Sequence, residues 1–190
     1  MTVVEMVIVI GVFSLVMLGT TVIFAALWRA QTVTIHGGRD ALSASHAITR
    51  VADMLRGARR ADNGAYVLVR CEASELIFFA DADGDNDTER IRVFRDGDMI
   101  FMGIIQPSSS IPTTYDGEET VRVIARSVMD NPENIPLFSY YDAENNLLNE
   151  AMVSAVRMVR IMVTVGDNTP RAQSPTTITT MISLRNLRSW

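Results

Sequence analysis

The chain holds one cysteine, Cys71, and no lysine at all; its 17 basic residues are arginines. A single cysteine excludes an intramolecular disulfide. Its setting, VLVRCEASELIFF, reads as a strand and the turn after it, so Cys71 is expected as an unlinked, hydrophobe-like thiol. An all-arginine cationic surface keeps its charge at any ordinary pH and suits bidentate contacts with carboxylates. The net charge of −5 makes neither DNA nor an anionic membrane surface a partner by charge, and nucleic acid is not indicated. Only two histidines occur, His36 and His46. On a helix their separation turns them about 80° apart, which is not the four-residue spacing of a zinc pair. G-x-S-x-G, the P-loop, G-x-G-x-x-G and C-x-x-C are all missing, and the chain reads as non-enzymatic.

Charge is also missing from Met6 to Trp28, and the first cation is Arg29. A helix over this run is about 30 Å long or more, enough to cross the hydrocarbon core of a bilayer. Just before it stands a lone carboxylate, Glu5. Carried unpaired into lipid, such a group costs a few kcal/mol, so it needs a partner. The nearest positive charge is the α-amino group of Met1, or the same group on a neighbouring copy. A secretory signal would carry a basic segment before an apolar core of about 7–15 residues. Here an acid stands in that place and the apolar run is longer. A plain membrane anchor accounts for the run but not for Glu5.

After Arg29 the helix is expected to continue to residue 60. Ile48, Val51, Met54 or Leu55, and Ala58 recur at helical spacing, with Arg50, Asp53, Arg56 and Arg60 largely elsewhere on the wheel. His36-Gly37-Gly38 predicts a kink or short break, and Asp62-Asn63-Gly64 reads as the helix end and a turn. From Tyr66 the period becomes two. YVLVR, SELIFFA, ERIRVFR, DMIFM, TVRVIARSV, PLFSYY, RMVRIMVTV and TTITTMISLRNL all read as strands. In RMVRIMVTV, Val159, Ile161, Val163 and Val165 share one face. Asp96-Gly97 marks a hairpin, and EAMVSAV suggests a short helical turn. The expected fold is α+β: an apolar helix half over 1–28, an amphipathic half over 29–60, and an antiparallel sheet domain over 61–190 packed on the second half.

The densest polar cluster is Asp81, Asp83, Asp85, Asp87 and Glu89. Alternating acids can converge oxygens on a hard cation, Ca²⁺ being the obvious one. The EF-hand pattern fails in either register: from Asp81 the sixth and twelfth positions are Asn86 and Arg92, and from Asp83 they are Thr88 and Phe94. The first reading is therefore a solvated turn between two strands, with a Ca²⁺ site as the alternative. Asp116-Gly117-Glu118-Glu119 and Asp142 to Asn146 read as acidic surface turns.

The opening Met1-Thr2-Val3-Val4-Glu5 followed by its apolar run resembles type IV pilins and type II secretion pseudopilins. PLFSYYDAENNLL, VRMVRIMVTV and ITTMISLRNL more loosely resemble the globular domain of large minor pilins and of larger pseudopilins. The resemblance implies that prepilin peptidase removes a leader and that Met1 is then N-methylated. It implies anchorage in the inner membrane, then transfer by the pilus assembly machinery into a helical extracellular filament. There Glu5 would neutralise the Met1 amine of an adjacent copy or sister pilin. Principal subunit, minor tip pilin and secretion pseudopilin are the roles implied, in adhesion, motility or secretion. Two positions depart from the family: Met1 replaces the usual Phe, and Val22 the common helix-breaking proline. The rival from another class is a single-span protein whose sheet domain binds a ligand or cation.

Overall fold

The computed structural model describes residues 2–148, 152–166 and 174–185, with backbone alone for residues 29–39. Helix α1, Val3–Arg56, starts on a capping box and ends at Gly57, whose N–H reaches back to the carbonyls of Asp53 and Leu55. Its 54 residues make a rod of about 80 Å. The expected break at Gly37-Gly38 does not appear: the backbone stays α-helical through both. Glycine in a helix interior costs only about 1 kcal/mol each relative to alanine, so the pair lowers helix propensity without forbidding the helix. The helix ends earlier than expected, at Arg56. Asp62-Asn63-Gly64 forms a separate turn, closed by the Gly64 N–H on the Ala61 carbonyl with Gly64 at φ +84°.

The two halves of α1 meet different surroundings. From Met6 to Trp28 every large apolar side chain is 53–76% exposed. Farther along, Ala44, Ile48, Val51, Ala52 and Leu55 are buried at helical spacing, as the sequence pattern requires. Ala58, just past the helix, is buried with them.

The described strands form two antiparallel sheets where one was expected. In the first, β1 (Leu68–Cys71), β2 (Glu75–Ala80), β3 (Glu89–Asp96), β4 (Met99–Ile105) and β5 (Thr120–Ala125) follow as a meander. In the second, β10 (Thr176–Ser183), β9 (Met158–Val165), β7 (Phe138–Tyr141) and β8 (Leu147–Leu148) lie in that order, with β6 (Val128–Met129) also on β9. The run TVRVIARSV, read as one strand, is divided between the sheets. Ser127 at φ +56° turns the chain, and its hydroxyl is held by Asp40 of α1 at 2.8 Å. The β3–β4 hairpin pairs Asp96 with Met99, leaving Gly97 and Asp98 as the turn with Gly97 at φ +58°. EAMVSAV gives a turn, Ala155 N–H to Met152 carbonyl, and no helix among its described residues.

One buried cluster runs through α1 and both sheets. It joins Leu55 to Leu76, Phe78, Ile91 and Val93 of the first sheet and to Phe138, Val159, Ile161 and Ile182 of the second. Tyr140 fastens the sheets together, its hydroxyl donating to the Glu72 carbonyl at 2.7 Å. On the opposite face of the first sheet lies a smaller cluster of Ala61, Phe79, Ile105 and Tyr115. That second cluster carries the β2–β3 loop.

Candidate functional site

Two places gather the polar residues singled out in the sequence: the start of α1 and the β2–β3 loop. At the start of α1, Thr2 is the N-cap and Glu5 the third helical residue. The Glu5 carboxylate accepts the Thr2 backbone N–H at 2.9 Å, and the Thr2 hydroxyl accepts the Glu5 N–H at 3.4 Å. The carboxylate also sits at the positive end of the helix macrodipole. Glu5 thus has a partner within its own helix, a backbone N–H rather than the opposite charge expected from the sequence. Met1 lies outside the described residues. The hydroxyls farther along are satisfied locally: Ser14 donates to the Ile10 carbonyl at 2.8 Å and Thr21 to that of Met17 at 2.6 Å. Val3–Trp28 is long and apolar enough to cross a membrane, and none of its most apolar stretch is buried.

In the β2–β3 loop, Asp81, Asp83 and Glu89 each bring a carboxylate oxygen within 4.8 Å of the other two. Asp85 and Asp87, named with them from the sequence, stay outside this group. Their role is in the loop itself: Asp85 accepts the Asp87 N–H at 2.8 Å. Asp81 closes the turn by accepting the N–H groups of Gly84 and Asn86 at 2.6 and 3.2 Å. Gly84 at φ +87° and Asn86 at φ +74° are residue types suited to that conformation.

Glu89 is wholly buried as the first residue of β3. Its Oε2 accepts the Ala82 N–H at 2.6 Å, while Oε1 has no hydrogen-bond donor among the described residues. Burial holds this carboxyl above its ordinary range, and the negative charges of Asp83, Asp85 and Asp81 add to the effect against the Ala82 bond.

Residues that the pattern of acids gave no reason to include hold this loop. Arg59 donates from Nε to the Thr88 hydroxyl at 2.9 Å and from a terminal nitrogen to the Asp87 carbonyl at 2.9 Å. It stands 3.8 Å from Asp81 Oδ2. Asp62 accepts the Thr88 N–H at 3.1 Å. The Tyr115 hydroxyl donates to the Thr88 carbonyl at 2.8 Å and accepts the Asp62 N–H at 3.2 Å. The signal for Asp62 was its turn, but nothing in spacing ties Tyr115 to Thr88.

Cys71 is a free thiol, and burial pushes it up to about 12, so it is no thiolate at neutral pH. Glu75 is buried between Arg70 and Arg92, with Arg70 at 2.9 Å. Arg92 also lies over the Phe94 ring, 4.0 Å from its centre. His46 is exposed, and the side chain of His36 lies outside the described residues.

No protein-family model matches the chain, and no curated protein is found as a relative.

Proposed function

We propose that the chain is a structural subunit of a type IV pilus-like extracellular filament. It is held in the inner membrane by the first half of α1 before assembly and packed by that half in the filament core afterwards. The single observation that carries the reading is the uncovered apolar half of α1. Its side chains are 53–76% exposed, yet the same helix runs on into the buried core of the folded domain. In water each such side chain forgoes about 1.5–3 kcal/mol of burial, so lipid or other helices must cover them. Lipid covers them one copy at a time. A bundle of equivalent helices covers them in an assembly, where van der Waals packing and the satisfied hydroxyls of Ser14 and Thr21 let helices approach without an unpaired polar group.

Glu5 supplies axial register in this reading. A carboxylate in a low-dielectric core is tolerated when paired and costly when not, so it favours the stagger that brings an amine to it. The test is Glu5→Leu. The variant is expected in the membrane fraction at native level, with filaments absent from sheared cell-surface preparations. Normal filaments from Glu5→Leu would remove Glu5 from the mechanism.

One observation favours a second reading, a single-span anchored domain. The capping box satisfies Glu5 within its own chain, so no neighbouring copy is needed to explain an acid at that position. Filaments containing the chain in stoichiometric repeat decide for the first reading. A chain found only as a dispersed membrane protein decides for the second.

A further inference from the structure

The buried carboxylate of Glu89 is the one group in the β2–β3 loop whose environment does not balance. An ionised carboxylate taken out of water needs hydrogen bonds or an opposite charge. Glu89 has the Ala82 N–H on one oxygen, while the other has no donor among the described residues. The nearby cation, Arg59, makes its close contacts with Asn86, Asp87 and Thr88 and comes no nearer to the acids than 3.8 Å, at Asp81. Two further carboxylates instead converge on the same place, with one oxygen of each of Asp81, Asp83 and Glu89 within 4.8 Å of the other two. Three acids gathered at a buried carboxylate, one of whose oxygens lacks a donor among the described residues, repel one another unless something positive stands between them.

We propose that Asp81, Asp83 and Glu89 bind a Ca²⁺ ion, with the unpartnered Oε1 of buried Glu89 as its innermost ligand. Oxygens at about 2.3–2.6 Å from Ca²⁺ lie no more than about 5 Å apart across the ion, which accommodates the observed convergence. The three ligands form a gradient from buried Glu89 through half-buried Asp81 to exposed Asp83. Water on the Asp83 side completes the six to eight oxygens that Ca²⁺ takes in flexible geometry. The site is preorganised from behind: Arg59, Asp62 and Tyr115 fix Thr88, the residue before Glu89. A proton on Glu89 relieves one acid only and leaves Asp81 facing Asp83. A divalent ion relieves all three.

The proposal does not rest on the filament reading, because binding is read on the dispersed chain. The experiment is calorimetric titration of Ca²⁺ into the chelator-stripped full chain in detergent micelles. One saturable site per chain is expected. Glu89→Gln and Asp83→Asn should each weaken it roughly tenfold or more, equivalent to about 1.4 kcal/mol or more. Asp87→Asn, outside the converging group, should stay within about twofold. If Glu89→Gln does not fold, exposed Asp83→Asn still reads the site. Absence of saturable binding by the native chain overturns the proposal. So does native-like affinity in Asp83→Asn, or a loss in Asp87→Asn as large as in Asp83→Asn.

Discussion

The hydroxyl of Tyr115 donates to the carbonyl of Thr88 at 2.8 Å while accepting the backbone N–H of Asp62 at 3.2 Å. One phenol therefore ties the turn after α1 to the end of the β2–β3 loop, across 27 residues of sequence on the Thr88 side. The ring itself packs on Phe79, with 4.9 Å between centroids.

Tyr115→Phe separates the two contributions. The ring stays, while the Thr88 carbonyl loses a buried partner and the Asp62 N–H a part-buried one. A loss of about 1–3 kcal/mol is expected. It is read as a lowered denaturant midpoint with unchanged slope. An unchanged midpoint would mean that water replaces the hydroxyl, and that Tyr115 holds the loop by its ring alone.

Acid should act through Glu75. Burial pushes its carboxyl up, but the hydrogen bonds and charges of Arg92 and Arg70 outweigh that and hold it below the ordinary 4.5. A carboxyl lowered in the folded state contributes stability above its unfolded value, and that contribution is lost as pH falls through the lowered one. Thermal midpoints measured downward from about pH 5 should therefore drop, and Glu75→Gln should flatten part of the drop while lowering the neutral-pH plateau. A Glu75→Gln curve parallel to the native one throughout would exclude the pair as a source of acid sensitivity.

The halves of α1 should respond differently to the same truncation. Leu55 is fully buried among both sheets, so Leu55→Ala should cost about 2–5 kcal/mol in domain stability through lost burial and a cavity. Leu15 is 76% exposed, and Leu15→Ala should leave the domain within about 0.5 kcal/mol of native. Denaturant unfolding in detergent, followed by the β-sheet circular dichroism signal, compares them. Equal losses would show that the apolar half takes part in the domain's fold.

Much of this architecture is legible in the sequence because its signals are local and periodic. The charge-free run to Trp28 marks the exposed half of α1, and the spacing of Ile48, Val51 and Leu55 marks the buried half. Alternation in β9 places Val159, Ile161, Val163 and Val165 in the core, where all four are found. Other features escape for physical reasons. Val128 follows β5 after only two residues, with no glycine or proline to mark a break, and a left-handed backbone at Ser127 sends the chain to the second sheet. The helix end lies at Gly57, ahead of the stronger turn signal at Asp62-Asn63-Gly64. In the acidic loop composition names five acids, but only the fold selects Asp81, Asp83 and Glu89. The selection depends on Asp85 closing a local turn with the Asp87 N–H and on Glu89 entering β3 opposite Ala80, and the second is an outcome of sheet pairing that the acidic pattern does not carry.

Glu5 offers the sharpest test of what the start of α1 is for, because its two candidate duties ask for different chemistry. As a cap, it needs only an oxygen to accept the Thr2 N–H, and the capping box works with Gln as well as Glu. As the counter-charge to an amine on another copy, it needs the negative charge that Gln lacks. Glu5→Gln should therefore keep the helix start intact yet assemble no better than Glu5→Ala, which loses both features. Filament yield from cells, normalised to the amount of each variant in the membrane, provides the comparison. If Glu5→Gln builds filaments at native yield while Glu5→Ala does not, the carboxylate acts by capping its own helix, and axial register comes from the packing of the apolar side chains alone.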